Sequence, residues 1–317
     1  MEARASSASG KQYPSSRRGL LKRIVSSWQV YLFLLPALIY YIVFHYAPMY
    51  GVQIAFKNYN ATAGIWGSPF AGLTHFMRLL DSYQFMNILK NTVLLSVENL
   101  IFGFPIPIIF ALLLNQITRP KIKKFIQTVS YAPYFISTVV IVAIILVFTY
   151  LQTGVVNNII AALGFERIQF MAKTEWFRPL YIISGVWQNT GWDSIIYIAA
   201  LSGISPELHE AAMLDGANKF QRIWHIDIPG ILPTAVILFI LRFGQLMRLG
   251  FEKAFLMQTN LNIDASEIIS TYVYKMGVRQ GQFSFAAATD LFNSVVNLVL
   301  IVSVNKLCRL LGREGLW

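Results

Sequence analysis

Ser205-Pro206-Glu207-Leu208-His209-Glu210-Ala211-Ala212-Met213-Leu214-Asp215-Gly216-Ala217, continuing through Ile223 to Pro229, is a polar, helix-competent island between two long apolar runs. Ser205 offers a hydroxyl N-cap, Pro206 fits the first turn, and Glu207 is an early acid favoured by the helix dipole. Leu208, Ala211, Ala212 and Leu214 make an apolar side with small residues, so a second surface can approach closely. Gly216 interrupts the helix where glycine turns the chain at least cost. Ala217–Ile226 starts a second short helix, which Pro229 is expected to end. A chain otherwise suited to lipid that keeps such a charged hairpin is built to dock something soluble there.

The surrounding sequence is membrane-like. Mean hydropathy is +0.54. Hydrophobic residues make up 56% and charged residues 13%, where a soluble domain carries roughly 25% charged residues. Apolar runs of about 20 residues recur, each long enough to cross roughly 30 Å of hydrocarbon as a helix. The short alternating segments of a β-barrel are absent from the sequence. The expected fold is all-α and polytopic, with six transmembrane helices. The first covers 28–49, after an N-terminal tail at 1–27, and an extracytoplasmic loop at 50–87 follows it. The other five cross within a core at 88–305, near 88–114, 125–150, 180–202, 231–249 and 283–305. A C-terminal tail covers 306–317. The run from Trp28 is too long for a typical signal core, and no small-x-small cleavage site follows it.

Charge placement sets the expected orientation. Arg4, Lys11, Arg17, Arg18, Lys22 and Arg23 precede the first run, and Arg119, Lys121, Lys123 and Lys124 join the second to the third. Lys219 and Arg222 sit on the polar island, with Lys306, Arg309 and Arg313 in the tail. Both termini and the island are therefore expected in the cytoplasm. The formal net charge of +11 follows topology and does not point to nucleic acid. The single cysteine, Cys308, excludes an intrachain disulfide and leaves the compartment unread.

The island resembles the EAA loop of permease subunits in binding-protein-dependent ABC importers. Glu210, Ala211, Ala212, Asp215, Gly216, Ala217, Ile226 and Pro229 match that pattern; Ile223 stands where an aromatic is usual, with Trp224 beside it. The resemblance extends from about residue 87 to the C-terminus. Gly250–Phe255, Thr271–Tyr274 and the ending Leu310–Trp317 are similar to the polysaccharide-type (LplB-like) carbohydrate permeases. The resemblance implies that the island at 205–229 is a coupling helix gripped by a cytoplasmic ATPase. Glu210 and Asp215 would pair with basic groups of that partner, while Ala211, Ala212 and Gly216 permit close packing. The alternative for the hairpin is ordinary packing on its own bundle.

Chemistry of its own is not expected of this chain. It has no phosphate loop of the Gly-x-x-x-x-Gly-Lys-Ser/Thr kind, so ATP belongs to another polypeptide. His45, His75, His209 and His225 are dispersed without metal-ligand spacing, and no catalytic constellation, metal site or cofactor site is expected.

Polar side chains inside apolar runs usually face a cavity or a neighbouring helix. Trp187, Gln188, Asn189, Trp192 and Asp193 crowd one part of the fourth run; indoles stack on sugar rings and amides bind hydroxyls. The alternatives are a polar helix interface or an interfacial Trp belt. Arg242 and Gln245 share a sector of the fifth run near mid-depth, whereas Arg248 is read as snorkelling outward. Asp290 and Asn293 share a stripe of the sixth and are read with the others as a substrate path; for Asp290 and Arg242 the alternatives are pairing with each other or contact with substrate. Glu98 and Asn99 read as partner-helix contacts.

The resulting expectation is a multi-pass permease subunit in a bacterial plasma membrane, importing oligosaccharides and, through Arg242, acidic ones containing uronates. Its implied partners are a second homologous permease, an ATPase dimer and an extracytoplasmic solute-binding protein. A permease for another solute class, an ATP-independent transporter and an enzyme acting on lipid-linked glycans are the rivals.

Overall fold

The computed structural model describes residues 26–310 and Gly312. The basic tail expected before Trp28 falls outside these up to residue 25, as does the ending after Leu310 apart from Gly312. The described residues divide at Gln53/Ile54 into two units. The first holds α1 (Trp28–Tyr41), which runs on through a π-turn at Ile42–Tyr46. The continuous helical stretch Trp28–Phe56 is 29 residues long, more than enough to cross a bilayer.

The second unit is a helical bundle. α2 (Phe85–Gly103) and α3 (Pro105–Asn115) run nearly end to end, with the break at Phe104 just before Pro105. The third apolar run was expected as one span. Instead, α4 (Pro120–Tyr131) and α5 (Thr138–Phe148) meet at 97° across the 3-10 turn Ala132–Phe135. Pro133 lacks a donor for the ladder, and the Ser137 hydroxyl accepts the Val140 N–H at 3.4 Å to start a new helix.

α6 (Thr174–Ser202) is the axis of this unit and packs against α2, α3 and α4. α7 (Pro206–Leu214) and α8 (Lys219–Arg222) form the hairpin arms; α9 (Ile228–Phe243) follows α8 through a π-turn at Ile223–Asp227. Pro229 was expected to end the second arm. It does not: the arm continues into α9, because Pro229 falls in the first turn after the π-turn, where its missing N–H costs little. α9 also stops at Phe243, short of the expected 249. α10 (Phe251–Met257) and α11 (Phe283–Leu310) follow later in the chain, α10 packing on α5 and α11 on α9.

Three apolar clusters hold the bundle. One is built on Leu95, Ile141, Phe177 and Met257, a second on Leu79, Phe85, Ile269 and Tyr272, and a third on Ala111, Tyr197 and Ile231. Outward-facing Ile101, Val299 and Leu298 remain exposed. A continuous apolar exterior of this kind requires lipid or a protein neighbour. Among the described residues, four helical stretches are long and apolar enough to cross a membrane, or five with the bent pair counted as one span. α6 has the length, 29 residues, but carries the polar run Gln188–Asp193.

Candidate functional site

α2, α6 and the end of α9 enclose a cavity of about 420 Å³. Its wall brings together Asn99 and Gly103 of α2, Asn189, Trp192 and Asp193 of α6, and Arg242 and Gln245 of the α9 terminus. Arg242 Nη2 donates to Asp193 Oδ2, and Arg242 Nη1 donates to the Gly103 carbonyl at 3.0 Å. A Cβ at 103 would lie 3.5 Å from Arg242 Nη1 and 3.4 Å from the Asn99 side chain, in ordinary contact with both, so the approach leaves just enough room for a methyl group. The guanidinium is 34% and the carboxylate 27% exposed, so the pair faces the cavity without being sealed off from it.

Trp192 stacks on Tyr134, with centroids 4.4 Å apart and planes 3° from parallel, and Phe135 meets the indole edge-on. The bend between α4 and α5 delivers both rings to α6. Gly191 makes this crossing possible, since a Cβ there would come within 2.0 Å of the Ser130 carbonyl oxygen. Below the cavity, Lys253 of α10 donates to the Tyr181 carbonyl at 2.9 Å and sits 4.8 Å from the Tyr181 ring. It stands outside the spanning helices, and burial pushes its ammonium down to about 8.

Of the residues read as a substrate path, Asn189, Trp192, Asp193, Arg242 and Gln245 meet at this cavity. Trp187 lines a separate apolar hollow beside Phe125, and Gln188 donates to the Ile136 carbonyl at 3.0 Å, bracing the bend. Asn293 donates to the Met247 carbonyl at 3.3 Å, while Asn297 accepts the Met247 N–H at 3.0 Å; together they clamp the turn after α9. Asp290 is exposed and is not the partner of Arg242. That expectation rested on similar depth in the fifth and sixth runs. Asp193, one helix over, takes the guanidinium instead.

Sequence reasoning set aside two residues that line the cavity, Asn99 and Arg248. Arg248 reaches Ser294 Oγ at 3.5 Å from the turn after α9. Its i+6 spacing from Arg242 was the available signal. Glu98 pairs with Arg178 at 2.8 Å, in keeping with a helix-to-helix contact.

At the other end of the unit lies the hairpin. Ser205 Oγ accepts the Glu207 N–H at 3.3 Å, and Asn218 and Gln221 form a reciprocal capping box at 2.9 and 2.8 Å. Gly216 has φ +81°, and the space around it is open. Glu210, Ala211 and Asp215 are exposed, Ala212, Ala217 and Ile223 half-buried, and Pro229 exposed. Leu214 is 90% exposed and Phe220, stacked on Trp224, 72%.

Residues 103–313 match the family described as binding-protein-dependent transport system inner membrane component. The chain belongs to this family. It is therefore a multi-pass membrane permease subunit of an ABC importer and not itself an enzyme; an ATPase and a solute-binding protein are its general partners. It is 42% identical over 301 residues to the polygalacturonan/rhamnogalacturonan transport system permease protein YteP of Bacillus subtilis (strain 168), covering 95% of this chain and 94% of that one. Identity to protein LplB of the same organism is also 42%, with 91% of each chain covered. A solved bacterial ABC transporter involved in the import of the acidic polysaccharide alginate matches with a TM-score of 0.85 and 39% identity, over 92% of this chain and 98% of that one. The resemblance read from the EAA pattern and the LplB-like segments is borne out.

Proposed function

We propose that this permease carries acidic, uronate-containing oligosaccharides into the cytoplasm. The observation that carries the reading is Arg242, which presents a guanidinium to a polar cavity beside Gly103, Asn99 and Gln245. A carboxylate-bearing sugar gains charge-assisted hydrogen bonds there that a neutral sugar does not. The polygalacturonan/rhamnogalacturonan system of YteP and the importer of the acidic polysaccharide alginate support the same substrate class. Asn189 and Trp192 supply an amide for hydroxyls and an indole edge for a ring.

In this reading α6 spans the membrane despite its polar run, which brings the core to five crossings, and α1 adds a sixth. The cation-rich connections place the tails at 1–27 and 306–317, with the hairpin at 205–229, on the cytoplasmic side. A second homologous permease completes the path beside this cavity. Two ATPase copies grip the paired hairpins, docking on exposed Leu214 and Phe220, with Glu210 and Asp215 available to basic groups.

Uptake into proteoliposomes holding the full complex tests the cargo. Arg242→Ala should reduce uptake of acidic oligosaccharides far more than neutral ones, whereas equal loss of both would remove the charge-selectivity claim. Gly216 tests the docking. Any L residue at φ +81° costs about 1–2 kcal/mol, an amount the free chain absorbs. Gly216→Val should therefore leave membrane insertion intact yet lower uptake per ATP hydrolysed; unchanged coupling would count against the hairpin as the joint.

A further inference from the structure

Asp227 lies at the root of α9, at the end of the π-turn that joins it to the hairpin. Its side chain is fully enclosed. Oδ2 accepts from Gln116 Nε2 at 3.1 Å, and Oδ1 lies 3.3 Å from His209 Nε2. Gln116 caps the end of α3, and His209 stands on the first hairpin arm, α7. Arg222, at the end of the second arm, adds attraction to the same carboxylate. One acid thus ties together the foot of α3, the hairpin and the start of α9.

The rest of α7 is not anchored by apolar burial. None of its residues is buried; Leu208, Met213 and Leu214 are each more than half exposed. A carboxylate withdrawn from water is tolerated only while its partners stay in place, and losing one leaves an uncompensated buried charge. Elements that share such a group move together or pay that penalty. π-turns inside helices also recur at functional sites.

We infer that Asp227 is a positioning residue for transport: it transmits displacement of the 205–229 hairpin into α3 and α9 through His209 and Gln116. This rests on the hairpin being the site where the ATPase acts. The bland reading is that Asp227 merely holds the fold, and the two differ in what they do to coupling. A fold-holding group changes how much complex assembles. A transmitting group changes how much sugar moves per ATP within the complex that has assembled.

The experiment uses the reconstituted importer with its ATPase and binding protein, and measures sugar imported per ATP hydrolysed. Gln116→Ala is the decisive variant, because it leaves Asp227, His209 and the hairpin sequence untouched. Asp227→Asn, which keeps shape and removes charge, is run beside it. The expected result is continued ATP hydrolysis with transport per ATP reduced about 5-fold or more, the low end of typical coupling energies. An unchanged ratio in Gln116→Ala overturns the inference, whether both rates hold or both fall in proportion. Should Asp227→Asn fail to assemble, Gln116→Ala alone decides. Cross-linking of the wild-type hairpin to the ATPase separates the two claims: no cross-link removes the docking reading, while a cross-link with an unchanged ratio removes this one alone.

Discussion

Arg242 and Asp193 join two helices that are far apart in sequence: the guanidinium comes from the last turn of α9, and the carboxylate from the middle of α6. The pair neutralises a cation that would otherwise be costly in a membrane-embedded wall. It also means that an incoming uronate competes with a carboxylate already in place. Asp193→Asn removes that competitor while keeping the side chain's shape. Acidic oligosaccharides should then saturate uptake at about 10-fold lower concentration, as expected for a charge-assisted hydrogen bond, with a lower maximal rate because release slows. Concentration-dependent uptake measures both. Neutral sugars should respond little, and an unaltered acidic profile would contradict the competition.

Gly191 permits α4 to cross α6 with backbone against backbone. A methyl group there meets the Ser130 carbonyl at 2.0 Å, and backbone cannot yield as a flexible side chain can. Gly191→Ala should destabilise the assembled permease by about 1–3 kcal/mol, the usual range for overpacking. Thermal unfolding in detergent would register this as a lower midpoint, while Gly51→Ala, in open space and without a positive φ, should leave it nearly unchanged.

Lys253 allows a prediction with a definite sign. Its folded-state value of about 8 lies below the usual lysine value, so the unfolded chain holds the proton more tightly than the folded one. The resulting destabilisation is complete below about pH 8 and is relieved as pH rises toward the ordinary lysine range. Thermal stability of wild type should therefore rise across that window relative to Lys253→Met, which fills the same space without a charge. A constant difference between the two would show that the ammonium is not strained by burial.

Much of this architecture could be read from hydropathy, and the hairpin from its caps. Ser205, Gly216 and the Asn218–Gln221 pair act locally, within a few residues of chain, so spacing alone reveals them. Where the reading went astray, the deciding feature was in most cases a partner distant in sequence, Pro229 being the local exception. Proline and serine at 133 and 137 are modest local signals, yet they break the third run because α6 receives the displaced rings. Pro229 looked like a stop, but the preceding π-turn lets the helix pass through it. Arg242 was matched with Asp290 by counting depth along ideal helices, but depth does not fix which helix a side chain faces, and Arg242 faces Asp193 of α6. The role of His209 depends on an aspartate 18 positions away and was invisible to motif spacing.

The 97° elbow between α4 and α5 has a mechanical meaning that a hydropathy plot hides. A plot counts this stretch as a single crossing, whereas the backbone makes it two arms whose corner carries Tyr134 and Phe135 to Trp192. Each arm is fixed to α6 by a contact of its own, Gly191 against the Ser130 carbonyl before the corner and Gln188 on the Ile136 carbonyl after it, so the corner is held as a rigid part of the conduit's lining.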